Sequence, residues 1–190
     1  MRHFISRFLR HEDGSISVEA MLVLPMLMWA YLGTFVFFDA YRSQSINIKA
    51  AYTLGDTISR ETNYITPAYM DSLYELQQFL VSTDQDVRLR VTIYRYQEGD
   101  DTYRVRWSQS RGMASLPMTD AGLAAVRPAL PVMPDGEVAI LVQTWVGYHP
   151  RYSVGLNDFV FEDLVVTRPR FTGQVCWNSV NNGDETTATC

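Results

Sequence analysis

The chain has 190 residues, enough for one modest domain with an appended segment and too few for a multidomain assembly. Apolar residues make up 47% and aromatic residues 13% of it, and this apolar surface excludes disorder along the whole chain. The formal net charge of -5 disfavours a general nucleic-acid-binding protein, because such proteins are normally basic.

A segment without charged residues runs from Ala20 to Phe38. With residues 16–19 it is long enough to cross a bilayer core, which takes about 20 helical residues. Aromatic side chains collect in its second half, as expected where a helix leaves the membrane: Trp29, Tyr31, Phe35, Phe37 and Phe38. A buried globular helix is the alternative, but it would normally carry a polar face. We therefore predict a transmembrane helix over residues 15–39.

A short basic head precedes this segment and contains Arg2, Arg7 and Arg10. Because positive flanking charge stays in the cytoplasm, a single pass with residues 40–190 exported as a periplasmic domain is predicted. A secretory signal peptide is the competing interpretation. The apolar region of a signal peptide is shorter, about 7–15 residues, and is followed by a cleavage site of the type Ala-x-Ala. The matching tripeptide here, Phe38-Asp39-Ala40, begins with a bulky aromatic residue, which makes cleavage by signal peptidase improbable.

The sequence around the junction of head and helix carries a family resemblance. Gly14 closes the basic head, and Glu19 follows five residues later inside an otherwise apolar helix. In this context the region resembles the cleavage site of type IV prepilins. The continuation VEAMLVLP, Val18–Pro25, and the stretch from Phe38 to Ala51 resemble the Tad (tight adherence, Flp pilus) pseudopilins of the TadE type.

The resemblance covers roughly residues 10–60 and implies a function. Prepilin peptidase would cut between Gly14 and Ser15, removing residues 1–14 and leaving the helix as an anchor in the bacterial inner membrane. The implied protein is a minor pilin or pseudopilin in Tad/Flp pilus assembly and surface adhesion, located on the pilus or cell surface after assembly. Its implied partners are the peptidase, other pilins, the inner-membrane assembly platform and the lipid bilayer.

Two residues within the helix have predicted roles. Glu19 is either an interfacial carboxylate stabilised by the helix dipole or an assembly determinant that pairs with a neighbour's new α-amino group at Ser15. A carboxylate at the centre of a membrane helix costs about 2.5–3.5 kcal/mol, and the position of Glu19 near the helix end reduces that cost. We favour the assembly role because of the whole context: a basic head, a glycine at the membrane edge and a charge within an apolar helix. Pro25 removes one backbone hydrogen bond, so we predict a kink or a locally unwound turn.

Helical periodicity continues beyond the membrane segment. Apolar residues from Tyr41 to Ile58 recur at three- and four-residue spacing, which predicts one helix from Ser15 to about Arg60 with a membrane half and an amphipathic half. Gly55 is unfavourable within such a helix. A second helix is predicted to begin at Thr66-Pro67, as N-cap and first helical residue.

The distal sequence predicts an antiparallel sheet. Alternation over Val87–Tyr94 and Tyr103–Trp107 predicts a hairpin with one buried and one polar face. Thr119-Asp120 is predicted to cap a short helix reaching Arg127. Two further strands are predicted over Glu137–Tyr148 and Phe161–Phe171, the second weakened by Pro169. The predicted fold class is α+β, a long N-terminal helix packed on an antiparallel sheet, as in pilins.

Five arginines lie on the hairpin: Arg88, Arg90, Arg95, Arg104 and Arg106. A basic binding surface is one interpretation, and we favour a solvated sheet face with long side chains shielding the strands. Cys176 and Cys190 would form a disulfide in an oxidising periplasm, worth about 3 kcal/mol, and would stay free thiols in a cytosolic chain.

Catalytic patterns are weak. His149 is the single histidine of the exported part, which excludes multi-histidine metal sites there, and Ser153 lacks the first glycine of a nucleophile elbow. We expect no enzymatic activity, no cofactor and no metal. The alternative to a pseudopilin is an uncleaved, N-anchored periplasmic binding or scaffold protein; a third hypothesis, a membrane-tethered enzyme, has no positive support in the sequence.

Overall fold

The computed structural model describes residues 16–82, 85–112, 116–180 and 185–190. The elements in chain order are α1 (Ile16–Ser59), α2 (Pro67–Val81), β1 (Val87–Gln97), β2 (Thr102–Arg111), α3 (Asp120–Ala125), β3 (Val138–Tyr148), β4 (Phe159–Thr167), β5 (Trp177–Asn178) and β6 (Ala188–Thr189). The chain divides into two units. The first combines the residues up to Ala40 with Pro150–Asn157, and the second combines Tyr41–His149 with Asp158–Cys190.

The first helix is continuous over 44 residues and ends at Ser59, as the sequence pattern predicts. It runs through Gly55 without a break. It also continues through Pro25, so a locally unwound turn is absent there, and a kink stays a prediction. In its second half one face is buried, including Ala51, Leu54 and Ile58, which confirms the amphipathic pattern.

Strands β1 to β4 form one antiparallel sheet in the order β2-β1-β3-β4. The helices α1 and α2 cover its first face, because their apolar side chains share one core with alternate residues of β1 and β3. That core includes Leu54, Ile58, Met70, Leu73, Leu89, Val91, Ile93, Ile140 and Val142. The predicted α+β class, with a long N-terminal helix packed on an antiparallel sheet, is therefore correct.

The second face of the sheet is also covered in part, so the prediction of a polar face on the hairpin is wrong. Tyr94 and Thr92, assigned to that face, are fully buried. A second core surrounds Tyr94 and contains Met118, Leu123, Leu130, Met133, Ala139 and Leu141. The chain around α3 supplies this cover. Its few apolar residues lie among prolines and therefore have no periodicity that predicts a packed layer.

A β-bulge changes the side-chain pattern of β2. Ile93 pairs with Trp107, whereas the adjacent Tyr94 pairs with Val105, which leaves Arg106 as an extra residue. Trp107 therefore joins the first core, while Val105 packs against the second. Alternation in the sequence predicts that Val105 and Trp107 lie on the same face of the sheet. This prediction is wrong, because one extra residue moves every following side chain of the strand to the opposite face.

The remaining boundaries follow local chemistry. Thr66 Oγ1 accepts a hydrogen bond from the Tyr69 amide at 3.3 Å, which confirms the predicted cap of α2. Helix α3 is capped by Thr119 as predicted but ends at Ala125, and a 3₁₀ turn over Arg127–Ala129 follows. Strand β4 begins at Phe159 and ends at Thr167, so Pro169 lies outside it.

Candidate functional site in the N-terminal helix

The first half of α1 exposes large apolar side chains. The exposed fraction is 73% for Leu22, 75% for Met26 and 64% for Trp29. A contiguous apolar surface of this kind marks an interaction with a membrane or with another protein. By length and composition α1 is suited to cross a bilayer, and among the described helices it alone is. The exposed segment coincides with the predicted span at residues 15–39, which makes it the candidate functional site.

Glu19 lies in the first turn of α1 and its side chain is exposed among apolar neighbours. At this position the carboxylate lies near the positive end of the helix dipole, which stabilises it. Gly14 and Ser15, the residues of the predicted cleavage site, lie outside the described residues, as does the leader 1–14. Neither the cleavage nor the pairing of Glu19 with Ser15 is therefore visible, and both stay predictions.

The loop between β3 and β4 belongs to the same unit as the apolar half of α1. The ring of Tyr152 lies edge-on to that of Phe35, with 6.2 Å between the ring centroids. The neighbouring Val36 is 1% exposed, so one side of the helix is covered at this level. The two ends of the loop are joined by a polar contact of 2.7 Å between His149 Nδ1 and Asp158 Oδ2, which is an ion pair when the imidazole is protonated.

The sequence does not predict the contact of Tyr152 with Phe35. The available signal was the apolar content of the loop, RYSVGL over residues 151–156, between two strands. His149, considered above only as a metal ligand, instead pairs with a carboxylate at the base of the loop.

A buried polar pair joins the amphipathic half of α1 to the sheet. The fully buried Asn47 donates from Nδ2 to Asp163 Oδ2 at 2.6 Å. Burial raises the pKa of Asp163, the bond from Asn47 opposes that shift, and the adjacent Glu162 adds to it. Thr144, the cross-strand neighbour of Asp163, is also buried. Because a shift of α1 along the sheet would break the bond between these buried groups, the pair favours one position of α1 on the sheet.

The arginines of the hairpin make specific contacts within the chain. Arg90 donates to Gln143 Oε1 at 3.0 Å and lies 4.9 Å from the ring of Trp145, and Arg95 donates to the Gly136 carbonyl at 3.0 Å. Arg104 pairs with Asp120 at 3.2 Å, and Arg106 donates to the carbonyl of Cys190. Because four of these five guanidinium groups bind partners within the chain, the contacts argue against a basic binding surface.

Cys176 and Cys190 form a disulfide in the structure, with their Cα atoms 4.3 Å apart. It closes the C-terminal segment that contains the short β5-β6 pair. The indole of Trp107 donates to the Val175 carbonyl at 2.7 Å, so this segment packs on the edge strand β2.

Groups suited to chemistry are sparse in the described part of the chain. It contains no cluster of three or more His, Cys, Asp or Glu side chains that could hold a metal ion. A small cleft between β2 and α3 contains Tyr103, Arg104, Asp120 and Arg127. Its charges are paired within the chain, since Arg104 meets Asp120 and Arg127 meets Asp101 at 2.6 Å.

Comparison of this chain with models of known protein families, with curated protein sequences and with solved structures finds no match. The resemblance to TadE-type pseudopilins therefore rests on residues 10–60 of the sequence alone.

Proposed function

We propose that this chain is a TadE-type pseudopilin, processed by prepilin peptidase after Gly14 and used in building or priming a Tad/Flp pilus. The observation that carries the proposal is one continuous helix with two kinds of surface. Its first half is apolar and exposed, and its second half is packed on a sheet. Such a helix holds a folded domain at the membrane and offers its first half to lipid or to other helices.

In this proposal Glu19 gains a partner on the neighbouring subunit only after cleavage. Removal of residues 1–14 places a new α-amino group at Ser15, about one helical turn from Glu19. In a low-dielectric helix bundle, a carboxylate and an amine on neighbouring subunits attract each other far more strongly than in water. The pair would fix the axial register between subunits. No catalytic role is part of the proposal.

The processing step is tested by replacing Gly14 with phenylalanine in the native host. The peptidase should fail on the bulky side chain, so the cell accumulates a longer form that retains its basic head. Gly33→Phe is the matched control, because Gly33 lies in the apolar half with nothing within 4 Å of an added side-chain carbon. A product of normal mature size from the Gly14→Phe gene would contradict the proposal.

The assembly step is tested with Glu19→Ala. This variant should be inserted into the membrane and processed normally, while pilus number falls. Glu162→Ala removes an exposed carboxylate from β4 and serves as the control that should leave pilus number unchanged. Wild-type pilus number in Glu19→Ala would remove the assembly role. An intact N-terminus on the wild-type protein would favour the uncleaved, N-anchored scaffold instead.

A further inference from the structure

The loop Pro150–Asn157 lies beside the last turn of the charge-free segment of α1. The ring of Tyr152 contacts Phe35, and the charge-free segment ends at Phe38, followed by Asp39. Each helical residue adds about 1.5 Å along the axis, so Phe35 lies roughly one turn inside the end of the segment. A span over Ala20–Phe38 is about 28 Å long and fills a hydrocarbon core of about 30 Å.

This geometry fixes the depth of the loop. If residues 20–38 occupy the hydrocarbon core, a ring in contact with Phe35 lies at the boundary between acyl chains and headgroups. Tyrosine is enriched at this boundary, because its ring is apolar and its hydroxyl group needs polar partners. The side chain of Tyr152 is 47% exposed, so nearly half of its surface is available to lipid.

The other residues of the loop suit the same environment. Arg151 is exposed, and a guanidinium beside anionic headgroups is attracted to them. Val154 and Leu156 are half-buried and give the loop an apolar side. Between them Gly155 has a φ of 99°, a conformation that L side chains rarely adopt, and it lets the loop turn back within a few residues.

We propose that the loop 150–157 is a second membrane contact, with Tyr152 in the interface and Arg151 at the anionic headgroups of the leaflet from which α1 emerges. The inference goes beyond pilus assembly and rests only on the part of the proposed function in which α1 spans a bilayer. The occupant of the exposed side of the loop is lipid, because the loop continues the apolar surface of α1 at the same level.

The test uses the full chain, reconstituted in vesicles of phosphatidylethanolamine and phosphatidylglycerol. A spin label is attached to one introduced cysteine at a time, Ser153→Cys, Leu24→Cys or Val132→Cys, while the native cysteines stay in their disulfide. Ser153 is exposed and adjacent to Tyr152, and Val132 is 93% exposed in the second unit. The measured quantity is the accessibility of the label to oxygen relative to a water-soluble nickel complex.

We expect the ratio at Ser153→Cys to lie several-fold above that at Val132→Cys and below that at Leu24→Cys. Adding Tyr152→Ala to Ser153→Cys should shift the ratio toward the value at Val132→Cys. A ratio at Ser153→Cys equal to that at Val132→Cys would overturn the inference, as would protection from both reagents, which indicates a protein neighbour. A water-like ratio at Leu24→Cys would instead contradict the membrane span itself, so the two failures are distinguishable.

Discussion

Residues 20–38 and 41–59 belong to one uninterrupted helix, yet most large apolar side chains of the first range are exposed, whereas one face of the second range, with Leu54 and Ile58, is buried. Leu24 is 58% exposed, whereas Leu54 is fully buried between α1 and the sheet. The second half of the helix has its partner within the chain. The partner of the first half must lie outside it, because an exposed apolar surface of this length is unfavourable in water. The same residue types therefore pack within the fold in one half and are exposed to a membrane or to another protein in the other.

The largest expected effect separates the two halves directly. Leu54→Ala leaves a cavity in the core and should lower the free energy of unfolding by about 2–5 kcal/mol. Leu24→Ala removes the same atoms from an exposed position and should change it by no more than about 0.5 kcal/mol. Urea unfolding of the full chain in detergent, followed by near-ultraviolet circular dichroism, measures both. Equal losses in the two variants would mean that the first half also packs within the chain.

The disulfide offers a second way to separate the regions, because it lies in the packed unit. Replacing Cys176 and Cys190 together by serine opens a loop of about 15 residues and should cost about 3 kcal/mol. Retention in the membrane fraction should be unchanged, because α1 supplies it. Loss of the chain from membranes in this variant, with the distal fold intact, would contradict the claim that α1 alone retains the chain in the membrane.

The polar pair between α1 and the sheet predicts a pH dependence. Since burial raises the pKa of Asp163, its contribution to stability is fully present below the ordinary carboxyl pKa and is lost as the pH rises through the raised value. Asp163→Asn should remove this loss and be at least as stable as the parent at neutral pH, with Asn47 keeping an amide oxygen as its acceptor. The urea midpoints of the parent and of Asp163→Asn, measured from below the ordinary carboxyl pKa up to neutral pH, check this prediction. If the midpoint of the variant fell with pH as steeply as that of the parent, Asp163 would not be the group that causes the loss of stability.

The smallest expected effect compares two glycines of α1. A side-chain carbon added at Gly55 would meet its nearest neighbour, Thr167, at 3.5 Å, an ordinary contact. Gly55→Ala should therefore stabilise the packed half by about 0.5–1 kcal/mol through its higher helix propensity. Gly33→Ala, in the exposed half, should leave urea unfolding of the distal unit unchanged. A destabilised Gly55→Ala variant would show that α1 lies closer to β4 than these distances indicate.

Sequence periodicity predicts those helices and strands in which each face is either apolar or polar along its whole length. The end of α1 at Ser59, the cap of α2 at Thr66 and the strand pattern of β1 through Ile93 follow from local sequence patterns. The bulge at Arg106 did not, because no residue in VRW, positions 105–107, marks an extra residue in a strand. The second core around Tyr94 was missed for another reason: its cover is a segment without helical or strand periodicity.

The features of the candidate site also fall into those that the sequence predicts and those that it does not. The length of the apolar segment and the position of Glu19 depend only on consecutive residues, so the sequence predicts them. The contact of Tyr152 with Phe35 joins residues more than a hundred positions apart, and the pair of Asn47 with Asp163 does so as well. Long-range contacts of this kind depend on how the sheet and helix pack, which local patterns do not encode.

The central claim is that a cut after Gly14 turns the exposed half of α1 into the N-terminal segment of the working protein. N-terminal sequencing of the protein purified from membranes of its native host measures this most directly. The account predicts a mature chain that begins at Ser15. A chain that still carries Arg2, Arg7 and Arg10 in cells that make pili would contradict it.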